Sequence, residues 1–178
     1  MQVDGRLLAG CGDDISHAEM HRRFVGKTFQ GMIDEIEVER GIRLPADLEA
    51  RKDGLMIEAY RRELQPVRHV AGALEQIVLP KSIGTNGPRQ RALEALRIVK
   101  LDHHFGGRLT TFEDVVNGKP APDIYLLAAE RAGFAARECL VVEDSVTGAT
   151  AAVAAGCQVL GFTGTHADRA EHALKLVQ

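Results

Sequence analysis

The sequence predicts an α/β protein in which a parallel β-sheet is covered by helices and preceded by a helical subdomain. From about residue 67 onward, short apolar runs alternate with helical patterns, an order typical of parallel sheets. Before residue 66 no strand pattern occurs, and the apolar residues follow helical spacing. We therefore divide the chain into an atypical N-terminus (1–12), a helical subdomain (13–66) and an α/β core (67–178).

The helical subdomain shows start and stop signals for its helices. Ser16 is placed as an N-cap with Glu19 at the third helical position, which is a capping-box pattern. A following stretch has mostly helical apolar spacing and ends at Gly41; its apolar residues are Phe29, Met32, Ile33, Ile36 and Val38. A further helix ends before Pro66 and includes Leu55, Ile57, Tyr60 and Leu64.

The α/β core is predicted as alternating helices and strands. Pro88 is a first-turn signal for one helix, and Gly133 and Gly156 follow the ends of two others. The predicted strands are 81–84, 105–109, 140–142 and 158–162, and the predicted helices are 70–77, 88–99, 124–132, 148–155 and 167–176. The 140–142 run is continuously apolar, which predicts a strand that is buried on both faces.

Two short motifs in this core indicate a ligand-binding site. Lys119 stands on a loop that is stiffened by Pro120 and Pro122, and the acidic pair Glu143-Asp144 directly follows the 140–142 strand. Acidic side chains at the carboxyl end of a parallel strand lie in the crevice where open α/β sheets bind ligands. A lysine and two carboxylates that converge there suit a divalent cation and a phosphate.

Composition limits the classes of function. Of 178 residues, 45% are hydrophobic and 26% are charged, and the net charge of −3 gives no reason to expect nucleic acid or an acidic membrane as a partner. No apolar run reaches the roughly 18 residues of a membrane span, and no secretory signal is seen. Two of the three cysteines, Cys139 and Cys157, are expected as small core residues in a reducing compartment. We expect a cytoplasmic protein.

The order of three motifs resembles the haloacid dehalogenase superfamily of phosphohydrolases. These motifs are Thr85-Asn86, Lys119-Pro120 and Glu143-Asp144. Residues 118–123 and 141–148 resemble the β-phosphoglucomutase-like branch, whose helical cap the subdomain before them resembles. The resemblance implies a Rossmann-like three-layer core with an α-helical cap. It also implies Mg²⁺ and an aspartyl-phosphate intermediate.

The resemblance implies a role for each motif residue. Asp144 would be a Mg²⁺ ligand, and Glu143 a direct or water-mediated partner of the metal. Lys119 would hold the phosphate, and Thr85 would bind a phosphate oxygen, helped by the Asn86 amide and by the helix that starts after Pro88. Each has a plainer alternative: Asp144 as a helix N-cap, Lys119 on a surface loop, and Asn86 in an ordinary Asn-Gly turn.

The cap loop at residues 22–28 resembles the family's substrate-facing loop. Lys27 and Thr28 would meet a polar, sugar-like substrate, or would simply begin a solvated helix. Arg22 and Arg23 are weaker candidates for the same contact. Elsewhere, His103-His104 is expected as a helix-exit segment, and His166 and His172 are expected to face solvent.

The family's nucleophile motif, Asp-x-Asp-Gly, does not occur in this sequence. The nearest string, residues 2–7, would put Gln2 at the nucleophile position and Asp4 at the acid/base position. A better alignment matches residues 7–24 to the end of the first cap helix, so that the family's first strand is absent. That strand would lie between the 81–84 and 140–142 strands, and its loss would leave two strand edges unpaired. A truncated or mis-started gene, a degraded paralogue and a strand supplied by another chain all fit.

Two functions from different classes follow. The first is a Mg²⁺-dependent phosphatase of small phosphorylated metabolites, most readily sugar phosphates; a phosphomutase ranks below it, because hydrolysis needs only water as the second acceptor. The second is a catalytically inactive relative that binds a phosphorylated ligand or a partner chain. The expected assembly is a monomer or a homodimer.

Overall fold

The computed structural model describes Ser16, Arg23 and residues 29–165 and 168–176, and the chain divides into two compact units between Glu63 and Leu64. The sequence predictions for Gln2, Asp4, Lys27 and Thr28, and those for Arg22 and His166, lie outside the described residues. No helix within the described ranges is both long and apolar enough to cross a membrane.

The first unit contains two described helices, α1 (Phe29–Arg40) and α2 (Leu48–Glu63). Its buried core consists of Met32, Ile33, Ile36 and Leu48, packed against Phe29, Leu44 and Leu55. Gly41 ends α1 in the left-handed conformation, with φ +62°, as the stop signal predicts. Val38, the last residue of the apolar spacing, lies in α1, but its side chain is 84% exposed.

The second unit alternates helices and strands in the predicted order. The helices are α3 (Val70–Gln76), α4 (Arg89–Ile98), α5 (Asp123–Ala132), α6 (Val146–Ala154) and α7 (Arg169–Leu176). The strands are β1 (Ile83–Thr85), β2 (Leu109–Thr111), β3 (Leu140–Glu143) and β4 (Gln158–Gly161). Short 3₁₀ turns occur at 102–104, 112–114 and 136–138, the first of which contains the predicted helix-exit pair His103-His104.

Two predicted boundaries are wrong for local reasons. The strand predicted at 105–109 instead begins at Leu109, because Gly106 and Gly107 both have positive φ and turn the chain there. Helix α6 begins two residues before the predicted start, because the Ser145 side chain accepts a hydrogen bond from the Gly148 N–H and caps the helix.

The strands form two separate parallel ribbons. In one, Ile83 pairs with Leu109 and Thr85 with Thr111; in the other, β3 pairs with β4 from Leu140↔Gln158 to Glu143↔Gly161. Among the described strands, β1 and β3 do not pair with each other. Helix α5 contacts β1 and β2 and also packs against α6, so it connects the two ribbons.

The prediction that β3 is buried on both faces is wrong. Val141 and Val159 pack toward Ala151 and Ala152 of α6, but on the opposite face Leu140 and Val142 are 62% and 60% exposed. Leu160 of β4 continues this exposed face. A continuous apolar run shows that a strand suits a buried position, but it does not show that both of its faces are covered.

Candidate functional site

The candidate site forms where β1 and β3 end. Strand β1 ends at Thr85 and strand β3 at Glu143, and the loop that carries Lys119 joins the two positions. Hydrogen bonds connect this loop to Asn86 on one side and to Glu143 on the other. The structure therefore brings together the three motifs that the sequence singled out.

Asn86 fixes the backbone of Lys119. Its side-chain Oδ1 accepts a hydrogen bond from the Lys119 N–H at 2.8 Å, and its Nδ2 donates to the Lys119 carbonyl at 3.0 Å. Gly118 permits this approach, since a Cβ there would lie 2.8 Å from Asn86 Oδ1. The side-chain amide of Asn86 is thus engaged with the protein, and what it does in this site is to position Lys119.

Thr85 lies at the last position of β1, just before helix α4. Its Oγ1 accepts a hydrogen bond from the Gly87 N–H at 2.9 Å. This contact orients the hydroxyl in the turn that leads from β1 into α4. Thr85 is half-buried.

The Lys119 side chain is held in a buried polar cluster. Only 9% of it is exposed, and its Nζ forms an ion pair with Glu143 Oε1 and donates to the Tyr125 hydroxyl at 2.7 Å. Tyr125, in the first turn of α5, donates its own O–H to Glu143 Oε1. Burial raises the pKa of Tyr125, and its hydrogen bond to Glu143 adds to that increase. The phenol is therefore protonated at neutral pH.

Both oxygens of the Glu143 carboxylate are occupied by donors. Oε1 takes those from Lys119 and Tyr125, and Oε2 accepts from the N–H of Ser145 at 3.2 Å and from its hydroxyl at 3.0 Å. Burial acts to raise the pKa of Glu143, but the hydrogen bonds from Lys119 and Tyr125 outweigh it and hold this pKa below its ordinary value. Glu143 is therefore an ionised support for Lys119.

Gly148 makes room for this carboxylate. A Cβ at residue 148 would lie 2.1 Å from the carboxyl carbon of Glu143, closer than any nonbonded contact allows. The carboxylate thus rests against the first turn of α6, where the partial positive charge of the helix N-terminus favours an anion.

Asp144 contacts the C-terminal segment of the chain. Its Oδ2 accepts a hydrogen bond from the Thr165 hydroxyl at 2.9 Å, and its carbonyl oxygen contacts Nε2 of His172 in α7. Asp144 is not the N-cap of α6, a role that Ser145 fills. The expectation that His172 faces solvent is wrong, because α7 folds back and places the ring on Asp144.

Sequence reasoning missed four residues around the motifs: Tyr125, Ser145, Thr165 and His172. Tyr125 carries a signal, because Ala128 and Ala129 follow it by three and four residues and so share one apolar face of the helix with it. Thr165 and His172 have no such signal, since they approach Asp144 through tertiary contacts. Of the cap candidates, Arg23 is described, and it pairs with Glu35 and Glu39 of α1.

Comparisons with known proteins identify the family to which the chain belongs. A family model for haloacid dehalogenase-like hydrolases matches residues 16–156. The 6-phosphogluconate phosphatase of Escherichia coli K12 is 26% identical over 85% of this chain and 69% of its own length. The phosphoglycolate phosphatase of the same strain is 35% identical over 73% of this chain, a match that spans about half (51%) of that enzyme.

A solved structure has the same fold. A haloacid dehalogenase family hydrolase from Deinococcus radiodurans, crystallised with bound phosphate and sodium, is 30% identical and has a TM-score of 0.61. The alignment covers 90% of this chain and 71% of that one. The chain described here therefore belongs to the haloacid dehalogenase-like hydrolases, in the branch that contains sugar-phosphate phosphatases and β-phosphoglucomutases.

Proposed function

We propose that the site at the ends of β1 and β3 holds the phosphoryl group of a small phosphorylated metabolite, most readily a sugar phosphate, for Mg²⁺-dependent hydrolysis. The observation that carries the proposal is the buried Lys119 ammonium, which is fixed between the motif residues of β1 and β3. Relatives with phosphatase activity on 6-phosphogluconate and phosphoglycolate, and a related hydrolase that binds phosphate, support it.

The residues present fit a magnesium ion. Mg²⁺ binds through one or two carboxylates and otherwise keeps waters and phosphate oxygens as ligands. Asp144 would supply the carboxylate, since the oxygens of Glu143 already accept four hydrogen bonds from the protein. Within the described residues, no group of three or more His, Cys, Asp or Glu side chains forms a metal cage. Bound Mg²⁺ would neutralise charge on the phosphate oxygens.

The chain's own residues act on the phosphoryl group by position and charge. The Lys119 ammonium would offset the negative charge that otherwise repels an attacking carboxylate. The Thr85 hydroxyl would donate to a phosphate oxygen near the start of α4, where helix N–H groups also favour an anion. Asn86 would act indirectly, by holding the Lys119 backbone.

The covalent step needs a nucleophile. A carboxylate oxygen would attack phosphorus, the phosphorus–oxygen bond to the alcohol would break, and a proton would pass to the departing alcohol; water would then hydrolyse the acyl phosphate. This sequence contains no Asp-x-Asp-Gly string to supply that carboxylate. The 2–7 string would supply Asp4 as the acid/base residue but no nucleophile.

The absent motif favours a second candidate, namely a protein that binds a phosphorylated ligand without turning it over. The binding half of the site, Thr85, Lys119 and Asp144, is compatible with that role. The two candidates differ in turnover and agree in phosphate binding, so one set of variants separates them.

The test combines hydrolysis of p-nitrophenyl phosphate with binding of inorganic phosphate, both in the presence of Mg²⁺. The variant is Lys119→Ala, and the matched control is Lys81→Ala, whose lysine precedes the opposite end of β1 and contacts the Ile77 carbonyl. Turnover that falls by about 10²–10³ in Lys119→Ala and not in the control supports the phosphatase. Phosphate binding without turnover supports the second candidate, and the absence of both contradicts both.

A further inference from the structure

The ring of Tyr125 lies in an apolar cluster, whereas its hydroxyl contacts charged groups. The residue is 7% exposed, and its ring packs in a core cluster with Ala151 and Ala152 of α6. Its hydroxyl lies at the polar edge of this cluster, between the Lys119 ammonium and the Glu143 carboxylate. A phenylalanine would keep the packing and lose only the polar contacts.

The hydroxyl completes the partners of two buried charges. It accepts from Lys119 Nζ at 2.7 Å and donates to Glu143 Oε1. The ammonium also lies 4.6 Å from the centroid of the Tyr125 ring, within the range of a cation–π contact. Buried charges are costly unless they are paired and hydrogen-bonded, so the geometry of the three groups is mutually dependent.

This arrangement uses two of the three donors of the ammonium. One N–H points to Glu143 and one to the Tyr125 hydroxyl, and among the described residues no protein acceptor takes the third. A lysine otherwise turns about four side-chain bonds. With two donors fixed, the direction of the third is fixed as well.

We propose that Tyr125 is a positioning residue whose hydroxyl locks the Lys119 ammonium onto Glu143 and so aims its remaining N–H at the phosphoryl group. The identity of that ligand rests on the function proposed above. The lock itself is a property of the protein alone, and it can be measured without any turnover.

The test compares Tyr125→Phe with Tyr60→Phe, which removes the hydroxyl of the other tyrosine in the chain. The first measurement is the ¹H–¹⁵N spectrum of the lysine ammonium groups, in which only a hydrogen-bonded ammonium with slow proton exchange gives a sharp signal. We expect a sharp Lys119 signal in the unmodified protein, assigned by its loss in Lys119→Ala. It should be broadened or lost in Tyr125→Phe and unchanged in Tyr60→Phe.

The second measurement is the affinity for inorganic phosphate with Mg²⁺, which we expect to fall by about tenfold in Tyr125→Phe, the effect of one misdirected hydrogen bond. A Lys119 signal that is missing from the unmodified protein, or that persists unchanged in Tyr125→Phe, overturns the positioning role. If no variant binds phosphate while the Lys119 signal responds as expected, the proposed function fails and the positioning role stands.

Discussion

At the scale of single residues, the site depends on how closely the Glu143 carboxylate approaches the backbone of α6. The carboxylate lies over Gly148, where a Cβ would come within 2.1 Å of its carbon. In an ordinary helix, glycine is less favourable than alanine by about 0.5–1 kcal/mol. Residue 148 reverses this preference, because the space that a methyl group needs is filled by a charged group that Lys119 and Tyr125 hold in place.

Gly148→Ala should therefore destabilise the protein by about 1–3 kcal/mol, the cost of overpacking a filled site, and should displace Glu143 from Lys119. Gly72→Ala is the matched control, since it also lies in a helix of the second unit but has no atom within 4 Å of the added Cβ. The control should gain about 0.5–1 kcal/mol. Urea unfolding of both variants measures the difference, and equal effects would contradict the packing argument.

Asn86→Ala should loosen the Lys119 backbone. It removes both hydrogen bonds between the Asn86 side chain and residue 119, and we expect the Lys119 amide proton to exchange with solvent at least tenfold faster, as the loss of about 1.4 kcal/mol implies. Asn117→Ala, on the same loop, is the control, since the Asn117 side chain donates to Asp123 Oδ1 at 3.2 Å and not to the backbone of Lys119. If the exchange rate of the Lys119 amide is unchanged in Asn86→Ala, the loop keeps its conformation without the Asn86 side chain.

The positions of the candidate-site residues can be predicted where motif and fold coincide. The order of Thr85, Lys119 and the acidic pair, and the strands that precede them, are enough to place them near one another. The contacts that each residue makes cannot be predicted in this way, because they are tertiary. The Glu143 carboxylate binds the Lys119 ammonium, and the Asn86 side chain binds the Lys119 backbone. The Thr165 and His172 contacts to Asp144 come from residues 21 and 28 positions away, beyond any local pattern.

At the scale of elements, the end of β2 is fixed by one carboxylate. Asp114 Oδ2 accepts from the Thr111 N–H at 2.7 Å, and Asp114 also pairs with Arg89 of α4 and with Arg131 of α5 at 3.1 Å. A single side chain thus connects β2 to the helices on either side of it in sequence. The hydrogen bond from the Thr111 backbone, with the two arginines, holds the pKa of Asp114 well below its ordinary value despite some burial.

The sign of the pH effect follows from that lowered pKa. A carboxyl whose pKa is lower in the folded protein contributes stability above its unfolded pKa of about 3.9, and this contribution is lost as the pH falls below that value. Asp114→Asn should therefore cost about 1–3 kcal/mol at pH 7, and the difference from the unmodified protein should shrink at about pH 3. Asp102→Asn, an exposed carboxylate, should change stability by less than about 0.5 kcal/mol at either pH.

The observed boundaries show which sequence signals are enough to predict where a helix or a strand begins or ends. Helices α1 and α5 end at glycines with positive φ, Gly41 and Gly133, as the stop signals predict. Strand β2 was misplaced because Phe105 and Leu109 suggested an apolar run, whereas Gly106 and Gly107 between them turn the chain. Tight turns override strand propensity when the intervening residues adopt a left-handed backbone.

At the scale of the whole second unit, two parallel ribbons are held side by side through α5. Its Tyr125 ring belongs to the cluster that includes Ala151 and Ala152 of α6, and its neighbour Ile124 would be 2.9 Å from a Cβ on Gly84 of β1. One helix turn therefore touches both ribbons. The candidate-site residues at the ends of β1 and β3 keep their spacing because Ile124 and Tyr125 of this turn are buried, with exposed fractions of 0% and 7%.

The β3–β4 ribbon has one covered and one uncovered apolar face, and the difference is measurable. Replacing Val142 and Leu160 together by threonine, on the exposed face, should change the free energy of unfolding by less than about 1 kcal/mol, as expected for two surface substitutions. The same double variant should bind less of the dye ANS, which fluoresces on exposed apolar surface.

Val159→Thr, on the covered face against Ala151 and Ala152, should instead cost about 1–3 kcal/mol, because it buries a hydroxyl without a partner. A large loss of stability in the double variant would mean that Val142 and Leu160 are covered in solution.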